Sequence, residues 1–145
     1  MKETYPKAYL YKRIVDAKLF IDSHFNEPLD LDNIADSAFF SKFHFTRLFK
    51  SIYAKTPHQY LTFVRIENAK LSLQKNISVT ETCYAVGFES ISSFTALFKR
   101  FTKKSPAAWQ QHYRVQMEQI LEKPLHFIPN CFAEQKGWKQ NSNFE

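Results

Sequence analysis

Residues 41–60 read SKFHFTRLFKSIYAKTPHQY, and an altered copy returns as residues 90–109, SISSFTALFKRFTKKSPAAW. Residues 45–50 align with residues 94–99 at an offset of 49, and the same offset pairs Pro57 with Pro106 and Tyr60 with Trp109. A repeat constrains architecture before any local signal does. Each copy begins with a short helix before a turn, so the chain reads as two helix-turn-helix units.

Both copies carry two faces at helical spacing. Phe45, Leu48, Phe49 and Ile52 fall at i, i+3, i+4 and i+7, a stripe expected to be buried. Phe43, Thr46, Arg47 and Lys50 share that spacing on the other side and are mostly polar and cationic. In the second copy Phe94, Leu97, Phe98 and Phe101 form the inward set, and Ser92, Thr95, Ala96 and Lys99 the outward one. A helix anchored by one face can offer the other to the major groove of a duplex, which is wide enough to admit it. An ordinary solvated face would give the same pattern in one helix. Two such helices in one chain, together with the charge distribution, favour the groove.

The charge is concentrated on the repeats. The net charge is +6, but residues 41–114 hold twelve Lys and Arg against three Asp and Glu, a balance of +9. Residues 1–40 balance at −2 and residues 115–145 at −1. A basic stretch coincident with candidate recognition helices is the electrostatic footprint of a nucleic-acid binder. Anionic lipid is the weaker partner, because the aromatic stripes are needed as core and leave no face to insert.

Composition excludes several classes. With 145 residues and 44% hydrophobic content, 15 of them Phe, the chain can bury a real core. Only 2 glycines are present, which argues against phosphate-cradling loops, dinucleotide turns and tight hairpins. An all-α fold tolerates that scarcity best. No apolar run approaches membrane-spanning length, and the polar, basic start has no signal-peptide core. Cys83 and Cys131 stand apart without metal-ligand spacing. Cys83 reads as a buried thiol, and an intracellular, cytoplasmic and nucleoid-associated setting fits. His24, His44, His58, His112 and His126 never pair at i, i+4, so neither a metal nor a cofactor is expected. No nucleophile motif, HExxH or carboxylate pair occurs, and an enzyme is not expected. Glu67 and Glu89 read as structural, Glu89 as a partner for amides in its own turn. His44 stands evenly between groove contact and packing.

Capping signals divide the chain. Residues 1–7 are expected to fray. A helix over about 8–24 buries Ile14, Ala17, Ile21 and Phe25. Asn26-Glu27-Pro28 ends it. Asp30 caps a helix over 31–38 with Leu31, Ile34, Ala35 and Ala38 inward. Phe39 and Phe40 form the turn, Phe40 plugging the core. Ser41 caps the first recognition helix. Thr56-Pro57-His58-Gln59 combines a cap, a proline at the first helical position and a capping box. It opens a connector to about Gln74, roughly 27 Å long at 1.5 Å per residue. Ile66, Ala69 and Leu73 mark its buried side, and Tyr60 and Phe63 add bulk. Ser78-Val79-Thr80-Glu81 is a second box, Gly87 terminates that helix in a left-handed conformation, and Ser90 caps the second recognition helix. Ser105-Pro106 opens a short helix containing Trp109. Beyond Arg114 a short helical continuation gives way to an irregular tail.

These residues resemble the AraC/XylS family of bacterial transcription regulators, in the short stand-alone form of its DNA-binding domain. The match is carried by LDLDNIA at 29–35, SKFHFTRLFK at 41–50, RIENA at 65–69, VGFES at 86–90, FTALFK at 94–99 and Ser105-Pro106. It covers about residues 8–114.

The resemblance implies about seven helices, with two helix-turn-helix subdomains joined by a long connector. The expected divisions are 8–56, 57–75, 76–114 and a tail from 115 to 145. It also implies that one monomer places recognition helices in successive major grooves, about 34 Å apart on one face of the duplex. Phe43, Thr46 and Arg47 match base-reading positions, with Ser92, Ser93 and Thr95 as smaller readers in the second repeat. Arg47 can pair bidentately with a guanine, and Phe43 can meet thymine methyls. Ser41, Lys42, Lys50, Ser90, Lys99, Arg100, Lys103 and Lys104 are the expected phosphate contacts.

Several positions depart from the family pattern. Ala96 stands where arginine is common and Ile91 where a polar residue is. Ala54 and Lys103 replace a frequent glycine, costing about 1 kcal/mol each if the sites need positive φ. Trp109-Gln110 replaces a closing Tyr-Arg, so an arginine contact is lost. The implied partners are promoter DNA and, by resemblance alone, RNA polymerase, with the protein a monomer on DNA and an activator. Met1 with a short leader favours a complete chain. The alternatives are a DNA-binding fragment of a larger ligand-responsive regulator, or a helical protein-interaction module with a basic face.

Overall fold

The computed structural model describes residues 5–37 and 41–123, and among them there are helices and no strand. The helices are α1 Tyr5–His24, α2 Leu31–Ser37, α3 Lys42–Tyr53, α4 Pro57–Gln74, α5 Val79–Ala85, α6 Ile91–Thr102 and α7 Pro106–Glu122. The fold is all-α, with two helix-turn-helix units on a shared connector.

Most helices start where a side chain can absorb the orphan N–H groups of the first turn. Asp30 Oδ1 accepts from the amides of Asp32 and Asn33 at 3.1 Å each. Ser41 takes the His44 amide, Ser78 that of Glu81, Ser90 that of Ser93 and Ser105 that of Ala108, all at 3.2 Å. At α4 the box closes both ways: Thr56 Oγ1 accepts from Gln59 N at 3.3 Å, and Gln59 Oε1 from Thr56 N at 3.0 Å. Each such cap is worth about 1 kcal/mol. Pro57 and Pro106 sit in the first turns of α4 and α7, both buried.

The two recognition helices also end alike. Ala54 and Lys103 adopt left-handed conformations at φ 60° and 66°, each donating its amide to the carbonyl four residues back at 2.8 Å. The strain anticipated at the two glycine-replacing sites is therefore present in both repeats. Gly87 lies at φ 96°, in the turn that leads to α6.

Two apolar clusters share α4. The first joins Ile14, Ala17 and Ile21 of α1, Leu31 of α2, Phe45 and Phe49 of α3 and Leu61 of α4. The second joins Ile66, Ala69 and Leu73 of α4 with Cys83, Val86, Phe88, Phe94 and Phe98. Successive turns of α4 thus face different halves, and Phe25 packs against both clusters. Aromatic rings line each side. Phe49 meets Tyr53 at 4.9 Å and Tyr60 at 5.7 Å. Phe98 meets Phe94 at 5.6 Å and Trp109 edge-on at 5.9 Å.

Several expectations need correction. The helix expected to begin near residue 8 already includes residues 5–7, and Pro6 suits a first helical turn because its missing N–H would be unpaired there anyway. Ile52 and Phe101, expected in the buried stripes, are exposed at 36% and 41%. The inward ridge runs i, i+4, i+8 instead, through Phe45, Phe49 and Tyr53, and through Phe94, Phe98 and Thr102. The Thr102 hydroxyl donates to Phe98 O at 2.9 Å. The short helix expected around Trp109 and the short continuation expected beyond Arg114 form one uninterrupted helix of 17 residues. Gln, Met, Glu and Leu are strong helix formers, and they carry α7 past Arg114 without an apolar stripe. Ala38, Phe39, Phe40 and Cys131 lie outside the described residues, as do the expectations placed on them and on the side chain of Ala35.

Candidate nucleic-acid interface

Burying one face of α3 fixes what the other presents. Phe45 and Phe49 are 2% and 0% exposed, while Phe43, one helical turn before Arg47, is 77% exposed. Arg47 and Lys50 are exposed beside it and Thr46 is half-buried. A single exposed ring is ordinary on a protein surface, and what distinguishes Phe43 is its place beside the cationic side chains Arg47 and Lys50.

On α6 the same geometry carries different chemistry. Phe94 and Phe98 are both 0% exposed. Ser92, Ser93, Ala96, Lys99 and Arg100 are exposed and Thr95 is half-buried. Ser90 Oγ donates to Ser93 Oγ at 2.9 Å and lies 3.4 Å from Ser92 Oγ, so these hydroxyls form a small cluster at the helix start. Serine hydroxyls so engaged can still accept from, or rotate toward, an approaching polar group.

The cations fall into two groups. Lys42 Nζ is 3.0 Å from Asp32 Oδ2, in a pair more than half exposed on both sides. A pair of this kind is worth little and competes only mildly with phosphate. Arg47, Lys50, Lys99, Arg100 and Lys103 are exposed and take part in none of the ion pairs found among the described residues. Lys104 is half-buried, its amide bonded to Thr102 Oγ1 at 3.3 Å. The structure thus brings the expected contacts onto the outward sides and ends of α3 and α6, with Lys104 and Lys42 the least available.

Other candidates resolve into structural roles. Cys83 is fully buried, and burial pushes its thiol pKa above the ordinary value. Glu67 pairs with Lys70 at 2.6 Å. Glu89, expected to bond amides of its turn, instead lies exposed where its charge acts on Arg65. His44 is exposed. No group of three or more His, Cys, Asp or Glu among the described residues could hold a metal ion, and no described helix is long and apolar enough to cross a membrane.

Sequence reasoning missed three tertiary anchors. Gln110 Nε2 donates to Leu73 O at 3.0 Å and Ile77 O at 2.8 Å, closing α7 onto the end of α4. The residue that replaces an arginine is therefore turned inward, into the fold. Tyr60 OH donates to Asp22 Oδ1 at 2.5 Å, with Lys18 at 2.7 Å from the other oxygen, tying α4 to α1. Arg65 bonds to carbonyls some forty residues earlier in the chain. Polar residues beside buried positions of a helix were the available signal, but they do not say which distant carbonyl is met.

A family model described as a helix-turn-helix domain matches residues 34–112. An HTH-type transcriptional regulator in the cgkA 5′ region of Pseudoalteromonas carrageenovora is 33% identical over 100 residues, covering 69% of this chain and 60% of that one. The bifunctional transcriptional activator and DNA repair enzyme AdaA of Bacillus subtilis is 36% identical over 93 residues, covering 63% and 44%. The chain thus spans less than two thirds of either relative. Among solved structures, the DNA-binding domain of AdpA in complex with a target DNA superposes with a TM-score of 0.68 at 29% identity, covering 73% of this chain and 96% of that domain.

Proposed function

Because the chain belongs to the AraC/XylS family of helix-turn-helix proteins, we propose that it is a sequence-specific regulator of transcription that binds double-stranded DNA through α3 and α6 in successive major grooves. One observation carries this reading. Two helices of the same length, each pinned by a buried Phe pair, turn capped, cationic outward faces to solvent. The protein is a monomer on DNA. Residues 8–56 and 76–114 each dock one recognition helix, and residues 57–75 set their separation.

Arg47, Thr46 and Phe43 supply most base discrimination, with Ser92, Ser93 and Thr95 adding less. Lys50, Lys99, Arg100 and Lys103 neutralise phosphates, joined by Lys42, Lys104 and the amides opened at Ser41 and Ser90. Activation is the favoured regulatory outcome, with RNA polymerase as the partner, in the bacterial cytoplasm. No step of this function needs a catalytic group or cofactor.

Selection from a random duplex pool tests the reading. Enrichment of one bipartite motif, bound with an affinity that falls steeply as salt rises, is the expected result. Retention of duplexes with no shared motif, or binding indifferent to salt, would contradict it. A second reading, that the chain is the DNA-binding part of a longer regulator, is favoured by its partial span of its relatives. The natural reading frame upstream of Met1 decides between the two.

A further inference from the structure

Arg65 lies midway along α4, where the two apolar clusters meet. Its Nε donates to Phe25 O at 2.7 Å, and a terminal NH2 donates to Glu27 O at 3.0 Å. Both carbonyls belong to the turn that leaves α1 and feeds α2. Its guanidinium also stands 5.8 Å from the centre of the Phe88 ring, in the turn that feeds α6. Burial pulls the Arg65 pKa below its ordinary value, and the charge of Glu89 opposes that shift. The arginine remains charged, and two of its five donors meet backbone carbonyls of the turn between α1 and α2.

Gly87 completes the junction. A Cβ there would come within 2.8 Å of Phe25 O, 3.1 Å of Arg65 Nε and 3.1 Å of the Asn26 carbonyl carbon, and φ is +96°. The turn before the second recognition helix therefore rests directly on the turn before the first helix-turn-helix. Phe25 packs into both cores at the same point. A single connector helix can bend and lets its two ends twist relative to each other. A second contact beside it removes that freedom.

We infer that Arg65 is a positioning residue that clamps the α1–α2 turn to the α5–α6 turn and thereby sets how far apart, and at what angle, the two recognition helices meet DNA. This rests on the two-groove reading above. Rigid placement raises the effective concentration of the second helix once the first is bound, and it restricts binding to one separation of half-sites. A loosened junction keeps both helices competent but lets them accept several separations.

Arg65→Met keeps an unbranched stem and removes the donors, and it can be compared with wild type on three duplexes. These are the selected site, the same site with two base pairs inserted between its halves, and a single half-site. Wild type should lose about tenfold or more on the insertion, and Arg65→Met about threefold or less, with half-site binding within about twofold of wild type. A uniform loss on all three duplexes, or an insertion penalty as large as in wild type, would overturn the clamp. A wild-type protein indifferent to the insertion would instead remove the two-groove reading, and the clamp with it. If Arg65→Met lacks a cooperative melting transition, Arg65→Lys, which keeps the charge with a simpler donor, carries the comparison. A smaller insertion penalty than wild type supports the clamp, and an equal one refutes it.

Discussion

The two helix-turn-helix units are nearly the same inside and different outside. Phe45 and Phe49 of α3 correspond to Phe94 and Phe98 of α6, all 2% exposed or less. The caps Ser41 and Ser90 and the left-handed ends Ala54 and Lys103 also correspond. Outward, α3 offers an aromatic ring and a guanidinium where α6 offers serines and Ala96. Packing tolerates few solutions, so the anchoring face persists in both copies. The solvent face is free to diverge, and on the proposed function one half reads bases while the other mainly grips the backbone.

The likeness of the interiors is the easiest half of this comparison to break. Phe49→Ala and Phe98→Ala should each cost about 3–5 kcal/mol through the cavity left behind, measured by denaturant unfolding. A loss in only one would show that the cores are not equivalent. The unlikeness of the exteriors predicts a smaller effect. Arg47→Ala should cost about 1–3 kcal/mol on the selected duplex and little on random sequence, in titrations at fixed salt. Lys99→Ala should weaken both duplexes alike and reduce the salt slope by about one.

The helix ends sharpen the contrast further. Ala54→Gly and Lys103→Gly should each raise stability by about 1 kcal/mol, because glycine adopts positive φ without a clashing Cβ. Only Lys103→Gly should also weaken DNA binding. A drop in melting temperature in either would contradict the strain observed at φ 60° and 66°.

Alkali should give the smallest difference. Burial, then the hydrogen bond to Asp22, pushes the Tyr60 pKa from 10.0 up to about 12. Its folded-state pKa is raised, so its contribution to stability is complete below pH 10 and fades as pH climbs toward about 12. Tyr60→Phe should remove that increment from the stability profile. The corresponding residue in the second half is Trp109, which has no such proton to lose.

The sequence disclosed features that depend on neighbours in the chain. Capping residues, first-turn prolines and the Phe pairs act within a turn or two, and the structure places them as read, except that the box expected over residues 78–81 closes only one way, from Glu81 N to Ser78. It did not disclose where a stripe stops being buried. Ile52 and Phe101 have the right spacing, but each sits in the last turn of its helix, where the core has moved toward Tyr53 and Thr102. The end of α7 is hard to place from the sequence, because past Arg114 propensity sustains the helix where no apolar pattern does. Arg65 and Gln110 were opaque for a different reason. Their partners are carbonyls more than thirty residues away, and carbonyls carry no residue identity. Among the site residues, exposure of Phe43 and Arg47 followed from the buried Phe ridge, whereas the pairing of Lys42 with Asp32 required the fold.

The most direct measurement is a hydroxyl-radical footprint of the protein on its selected duplex, with the stoichiometry of the same complex determined by mass. One protein per duplex is expected, with two protected patches on one face about 10 base pairs apart centre to centre. A single patch, or two patches that appear only when two proteins are bound, would contradict it.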